Sequence, residues 1–185
     1  LTKALNSGFK VLPLFIFDIE ILGKLEDKFD RRVDLIRQVL SELKNKLENL
    51  GSSLLVKYGK PEEIFKILHN EYRILAIYTN RDYEPYAILR DNQIRSWAKS
   101  NQIDFKDFKD QVIFEPGEIT KEDGKPYTIY TPFSKVWKKK LTEADLQEYT
   151  NLNIDGFLKT SPFHLPELSE IGFQKTDYVY VSPST

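Results

Sequence analysis

The chain has 185 residues, a net charge of −1 and an apolar fraction of 41%. These values suit one domain with a buried core, exclude global disorder, and give no reason to expect the whole chain to bind nucleic acid or a membrane surface. No apolar run reaches the roughly 18 residues of a membrane span. The lack of cysteine excludes disulfides, and with no visible signal peptide we expect a cytoplasmic protein. Since the chain starts at Leu1 and contains no methionine, we expect it to be a piece of a longer protein.

The first part of the chain predicts two strands with a long helix between them. Residues 10–17 (KVLPLFIF) are continuously apolar, which is typical of a strand buried on both faces, and residues 52–59 predict a second strand. After a charged loop, a helix is expected from Asp30 as its N-cap to Gly51 as its stop. Its apolar residues recur every three or four positions and predict one buried stripe: Val33, Ile36, Leu40, Leu43, Leu47 and Leu50.

The alternation of helices and strands continues to residue 108. Pro61 opens a short helix that carries apolar residues at 64, 65, 67 and 68, and residues 74–79 predict a third strand. Pro85 opens a helix to about Lys99, and residues 103–108 predict a fourth strand. Strands separated by helices of this length pair in parallel through right-handed crossovers. The fold class is therefore α/β, with a doubly wound, mostly parallel sheet and helices on both faces.

The pattern changes after Asp110. Residues 112–133 predict an irregular hairpin around a Glu-Asp-Gly-Lys turn, and residues 134–149 predict a helix with a break near Leu141–Thr142. The last part has little periodicity and is expected to be a connector that lies along another domain. We therefore expect an α/β domain over residues 1–141 and an interdomain connector over residues 142–185.

A ligand site is expected at the carboxyl edge of the sheet. Ligands of open parallel sheets bind outside the carboxyl ends of the strands, which here lead into the charged segments 18–32, 58–63 and 80–86. Asp18 suits either a turn or the polar edge of a ring, and Tyr86 suits either packing or stacking. No phosphate-binding loop, glycine-rich dinucleotide motif, serine elbow or metal spacing occurs. The residues thus predict a ligand-binding domain without a catalytic residue or a metal.

Four blocks resemble the N-terminal α/β domain of the DNA photolyase/cryptochrome family. They are residues 11–22 (VLPLFIFDIEIL), 31–65, 80–91 (NRDYEPYAILRD) and 110–137, in the family's order, and the similarity covers residues 3–141 in register. The resemblance implies a Rossmann-like sheet of five strands in the order 3-2-1-4-5. The family's central first strand would precede Leu1, and it is missing from this sequence.

The resemblance also implies a function for the parent protein. It would be a deoxyribodipyrimidine photo-lyase, a carbon–carbon lyase that repairs pyrimidine dimers with light. The partners would be a C-terminal helical domain of the same polypeptide, which holds FAD, and damaged DNA, with no membrane. This chain alone is expected to be inactive. The alternatives are a cryptochrome-type blue-light receptor domain and a stand-alone nucleotide-binding α/β module.

The family's α/β domain often holds an antenna chromophore in a cleft. Folate-type members carry Asn-Glu where this chain has Tyr86–Ala87, so the resemblance favours a deazaflavin or flavin antenna, or an empty site, over folate. The aromatic residues would stack on the ring system and the carboxylates would bind its amide groups. The expected contacts are Phe17, Asp18, Leu22, Arg32, Glu84, Tyr86 and Asp91.

Overall fold

Strands and helices alternate along the chain in the computed structural model, which describes residues 1–147 and 152–181. The helices are α1 (Thr2–Leu5), α2 (Ile19–Leu22), α3 (Arg31–Asn49), α4 (Pro61–Tyr72), α5 (Pro85–Ser100) and α6 (Tyr130–Lys140). The strands are β1 (Leu14–Asp18), β2 (Leu55–Gly59), β3 (Ala76–Asn80) and β4 (Asp104–Phe108). Short 3-10 helices lie at Glu143–Leu146, Ile154–Gly156 and Leu168–Ile171. None of the helices in the described ranges is long and apolar enough to cross a membrane.

The four strands form two parallel pairs. β1 pairs with β2 so that Asp18 lies opposite Gly59, and β3 pairs with β4 so that Asn80 lies opposite Phe108. The predicted α/β class with parallel pairing is confirmed. A single five-stranded sheet is not seen among the described residues, where β1 and β3 are not hydrogen-bonded to each other.

The larger core lies between α3 and the β1–β2 pair. Val33, Leu40 and Leu47 face the sheet and pack in one cluster with Phe17 and Val56. The predicted apolar stripe was too broad, since Ile36, Leu43 and Leu50 are 36–42% exposed. The buried residues repeat every seven positions, and the helix contacts the sheet along this narrow row. Apolar residues three positions further on therefore lie at the rim of the contact.

The C-terminal segment, which the structure describes over residues 152–181, covers this same core. Phe157, Leu168, Ile171 and Phe173 are buried in the α3 cluster, and Phe157 also forms a parallel bridge with Val11. We expected this segment to lie along another domain, but its described part packs on the α/β domain itself. Apolar side chains spaced irregularly along an extended segment give no periodic signal, so the sequence did not reveal this packing. The boundary at residues 141–142 stays a prediction.

The C-terminal segment is also bound by polar side chains of α3. The buried carboxylate of Asp34 accepts hydrogen bonds from the backbone N–H of Thr176 (2.8 Å) and from its hydroxyl (2.7 Å). Gln38 donates to Asp34 (2.9 Å) and to the carbonyl oxygen of Tyr178 (2.9 Å). Residues 148–151, which include the end of the helix predicted over 134–149, lie outside the described residues.

Helices α4 and α5 bury smaller cores. Ile64 and Leu68 of α4 pack with Leu55 of β2, while Ile94 and Ala98 of α5 pack with Ile77 and Ile103 near β3 and β4. Both helices begin at the predicted prolines, which suit the first turn because they lack the N–H that would have no partner there. Ile67, expected among the apolar residues of α4, is 60% exposed.

Two local predictions need correction. The hairpin expected over 112–133 is reduced to one antiparallel bridge between Thr120 and Pro126, with Gly124 in the left-handed region at φ 79°. The loop expected after β1 contains the short helix α2, which Asp18 caps by accepting from Glu20 N–H. The predicted break near Leu141 is confirmed, since α6 ends at Lys140 and a 3-10 turn follows from Glu143.

Candidate functional site

Asp18 lies at the carboxyl end of β1 and is only 5% exposed. Its Oδ1 accepts the backbone N–H of Glu20 at 2.9 Å, which caps α2. Its Oδ2 accepts the hydroxyl of Tyr86 at 2.7 Å. A buried carboxylate is tolerated when both oxygens are hydrogen-bonded, as they are here. The turn role is therefore confirmed for one oxygen, while the other binds a side chain 68 positions away.

Tyr86 connects the two strand pairs at this edge. Pro85 starts α5 just after β3, and the next residue, Tyr86, reaches Asp18 at the end of β1. Burial raises the pKa of the Tyr86 hydroxyl, and so does its hydrogen bond to the negative Asp18. The hydroxyl consequently stays protonated as the donor at neutral pH.

Two cations flank the Tyr86 ring. Lys24 Nζ lies 5.1 Å and Arg90 Cζ lies 6.0 Å from its centroid, within the range of cation–π attraction. Arg90 Nε also donates to Asp91 Oδ1 at 2.8 Å. We call Asp18, Lys24, Tyr86, Arg90 and Asp91 the Tyr86 cluster.

The charges and the aromatic ring of the Tyr86 cluster indicate the kind of ligand that it suits. Its formal charges balance, with two carboxylates and two cations around one neutral phenol. Lys24 is exposed and forms no ion pair with the described residues, whereas Arg90 is paired. The aromatic ring and the available cation together suit a planar ligand that carries negative charge.

Six of the seven predicted site residues divide into three groups. Asp18, Tyr86 and Asp91 belong to the Tyr86 cluster. Phe17 and Leu22 are buried in the α3 core, where they pack with apolar residues of α3. Glu84 is the exposed N-cap of α5 and makes no side-chain capping bond. That these residues contact a ligand stays a prediction.

Arg32 is bound to Asp30 and not to a residue of the Tyr86 cluster. Its guanidinium lies 2.5 Å from Asp30, which is the N-cap of α3. The hydrogen bond from Arg32 lowers the pKa of Asp30 to about 2. A cation at this positive helix end is unfavourable by itself, and the neighbouring carboxylate of Asp30 compensates its charge. Among residues 1–147 and 152–181, the hydrogen bonds and the ion pair of the Arg32 guanidinium are with Asp30, and none joins it to the Tyr86 cluster.

Sequence reasoning missed Lys24 and Arg90. Arg90 lies four positions after Tyr86, so the two share one face of α5, and the i, i+4 spacing could have indicated it. Lys24 follows α2, and since that helix was taken for a loop, no local signal directed Lys24 toward Tyr86. The buried Ala87 and the bonded Tyr86 leave no free amide or carboxylate at the positions of the folate-type Asn-Glu pair.

A second polar cluster lies at the carboxyl ends of β3 and β4. Arg81 bonds to Asp107 (3.1 Å) and to Glu115 (2.6 Å), and Arg95 bonds to the same Asp107 oxygen (3.0 Å). The hydrogen bond from Arg81 outweighs partial burial and lowers the pKa of Asp107. These pairs attach the segment after β4 to the sheet edge, so we interpret them as structural. We call Arg81, Arg95, Asp107 and Glu115 the Arg81 cluster.

Two grooves are not lined by residues of the Tyr86 cluster. A groove of about 460 Å³ runs between α4 and α5 beside Glu62 and Trp97, and another of about 880 Å³ separates α3 from the C-terminal segment beside Arg37 and Tyr178. Within the described ranges, no group of acidic or histidine side chains could hold a metal ion.

Comparisons with known proteins agree on one family. The family model for DNA photolyase matches residues 1–151. The chain is 30% identical to a deoxyribodipyrimidine photo-lyase of Synechococcus over 179 residues, covering 94% of this chain and 37% of the relative. It is 31% identical to the enzyme of that name from Halobacterium salinarum over 170 residues, covering 90% of this chain and 34% of the relative. The chain thus spans about a third of the length of these relatives.

A solved structure supports the same relationship. The chain matches an archaeal photolyase from Sulfolobus tokodaii with a TM-score of 0.65 and 30% identity, covering 76% of this chain and 31% of that one. That structure contains two FAD molecules and is described as implying a novel light-harvesting cofactor.

Proposed function

The chain belongs to the DNA photolyase family, and we propose that it is the N-terminal α/β domain of a deoxyribodipyrimidine photo-lyase that repairs pyrimidine dimers with light. The observation that supports this most is the family match over residues 1–151, with relatives of that name at 30% and 31% identity. Because these relatives are about three times as long, the activity, the FAD and the contact with damaged DNA belong to the proposed parent protein.

We assign antenna binding to this domain, at the Tyr86 cluster. A chromophore held there would absorb light and pass its excitation energy to the FAD of a C-terminal helical domain. Tyr86 offers a ring for stacking, and Lys24 offers a positive charge for a phosphate or a ring carbonyl. The lack of a free amide or carboxylate at Tyr86–Ala87 favours a flavin or deazaflavin over folate. The two FAD molecules of the Sulfolobus tokodaii protein are consistent with a flavin.

We further propose that the two strand pairs belong to one five-stranded sheet. The order 3-2-1-4-5 counts the strands of the family, and its first strand lies outside the described residues. β1 and β2 would be the second and third strands on one side of it, and β3 and β4 the fourth and fifth on the other side. The Tyr86–Asp18 bond supports this arrangement because it holds the ends of the two pairs together at one edge. Hydrogen exchange on the natural protein tests it. The N–H groups of β1 and β3 that do not face β2 or β4 should be protected, and fast exchange there would contradict the proposal.

Repair is tested on the natural full-length protein. Irradiated DNA that contains pyrimidine dimers is mixed with the protein, and the remaining dimers are measured after blue light and after darkness. We expect light-dependent loss of dimers with the full-length protein and none with the 185-residue chain. A flavin that responds to light without any repair would contradict the proposal and favour a cryptochrome.

The antenna assignment is tested by chromophore content. The pigments released from the purified full-length protein are identified and counted per FAD. Tyr86→Ala should lower the content of a second, flavin-type chromophore, because it removes both the stacking ring and the bond to Asp18. Tyr178→Ala is the matched control, since Tyr178 is an exposed tyrosine near the C-terminus of the described chain, outside the segments at the carboxyl edge. Equal loss in both variants, or a folate as the second pigment, would contradict the assignment.

A further inference from the structure

Helix α6 differs from the other long helices because none of its side chains is buried. Helices α3, α4 and α5 each bury several residues against the strands. Yet α6 has apolar residues at helical spacing, with Phe133, Val136 and Trp137 only partly covered. A helix with such a pattern normally buries its apolar side.

The exposed apolar surface is largest at the start of α6. Ile129 is 65% exposed and Tyr130 is 76% exposed, although both are large side chains next to each other. Lys135, Lys138 and Lys139 are also exposed, but at 3.6 residues per turn they lie on another side of the helix from Tyr130. We call Ile129 and Tyr130 the α6 face.

The helix is attached to its own domain mainly near its other end. The Trp137 ring packs edge-to-face against Phe114 with centroids 5.5 Å apart, and Lys140 Nζ donates to the carbonyl oxygen of Glu118 at 2.8 Å. At the start of the helix, Phe133 contacts Tyr127, whose centroid is 6.3 Å away. These contacts orient α6 but leave Ile129 and Tyr130 facing outward.

We propose that the α6 face docks onto the FAD-binding C-terminal domain of the same polypeptide. This inference rests on the proposed function, which supplies that domain. The partner surface would be apolar opposite Ile129 and Tyr130. Two thirds of the length of the curated relatives lies outside the part that this chain matches. A domain of the same polypeptide is present at high effective concentration, so even a modest apolar patch suffices to hold it.

Cysteine labelling of the natural full-length protein tests this docking. The described chain has no cysteine, so Tyr130→Cys adds one thiol to it, and the unmodified protein gives the background from the remaining chain. Ile67→Cys on α4 is the matched control, because Ile67 is 60% exposed. In the native protein, the thiol at 130 should react with a maleimide at least about tenfold more slowly than the thiol at 67. In denaturant the two rates should be equal.

Other occupants of the α6 face predict different results. If light scattering shows a dimer, and the thiol at 130 becomes reactive on dilution to monomers, a second copy covers the face and the inference is wrong. If the thiol reacts quickly in the free protein and slowly only after DNA is added, DNA is the occupant and the inference is also wrong. A flavoprotein that repairs DNA but reacts equally fast at 130 and 67 contradicts this inference alone. Lack of flavin and of repair contradicts the proposed function instead.

Discussion

The two strand pairs are stabilised in different ways. The α3 half, made of β1, β2, α3 and the C-terminal segment, has an extended apolar core that includes Phe17, Leu40 and Phe173. The α5 half, made of β3, β4, α5 and residues 110–147, has a smaller core cluster of four buried residues: Ile77, Ile94, Ala98 and Ile103. Much of the rest of the α5 half is held by the Arg81 cluster and by aromatic residues beside lysines.

Because of this difference, we expect the α3 half to provide most of the stability and the α5 half to contribute to the binding surfaces. Burial of apolar side chains provides most of the free energy of folding, so the α3 half should be the more stable part. Ion pairs near the surface contribute little, so the α5 half should open more easily. The surfaces proposed for the antenna and for the C-terminal domain both include residues of the α5 half, namely Tyr86 and the α6 face.

The largest expected effect comes from the core that the C-terminal segment completes. Phe173→Ala should lower the free energy of unfolding by about 3–5 kcal/mol, because it leaves a cavity against α3. Phe29→Ala is the control, since Phe29 is 54% exposed and should change stability by less than about 1 kcal/mol. Urea denaturation followed by circular dichroism measures both. Equal small effects would show that the segment is not part of this core.

The next effect should be confined to the α5 half. Ile94→Ala should cost about 2–4 kcal/mol, and Ile88→Ala on the exposed side of the same helix should cost much less. Both tryptophans, Trp97 and Trp137, lie in the α5 half, so their fluorescence reports on this half alone. We expect the fluorescence transition of the Ile94 variant to occur at lower urea than the transition by circular dichroism. Coincident transitions would mean that the two halves unfold together.

A smaller effect should depend on pH. Burial tends to raise the pKa of Asp34, but hydrogen bonds from Thr176 and Gln38 outweigh it and lower the pKa below 3.8. The ionised carboxylate therefore stabilises the folded chain above pH 3.8, and this contribution is lost as the pH falls through the lowered pKa. At pH 7, Asp34→Asn should cost about 1–3 kcal/mol, and the cost should shrink in acid.

The control for Asp34 lies on the same C-terminal segment. Asp177 pairs with Arg31 while both side chains are more than 60% exposed, so Asp177→Asn should change stability very little at any pH. Urea denaturation at pH 7 and at pH 3 measures both variants. A cost for Asp34→Asn that is the same at both values would contradict the role of its ionised form.

The smallest effect is expected at the Arg81 cluster. Arg95→Gln should cost about 0.2–1 kcal/mol, because Arg95 is 43% exposed and Asp107 keeps its bond to Arg81. Added salt should reduce the difference further, since exposed charges are screened. Thermal unfolding at low and high salt measures it. A large, salt-independent cost would show that this cluster carries the stability of the α5 half.

Signals from neighbouring residues predicted much of the secondary structure. Asp30 at the start of α3, Pro61 and Pro85 at the starts of α4 and α5, and the break near Leu141 are all as expected. Caps, prolines and apolar periodicity act within one or two turns, so the residues next to them determine their effect. The apolar strands were predicted from local patterns in the same way. Their parallel pairing was predicted from the helices that separate them.

The tertiary structure alone decided which distant groups meet. Asp18 and Tyr86 were both expected to contact a ligand, and they bond to each other. Asp34 binds Thr176, and the irregularly spaced Phe157 and Phe173 complete the α3 core. Such contacts depend on how whole faces pack, which residue spacing does not encode. The sequence by itself thus determined the helices α3, α4 and α5 and the four strands, because their signals are local, while packing determined the partners of each side chain at the carboxyl edge.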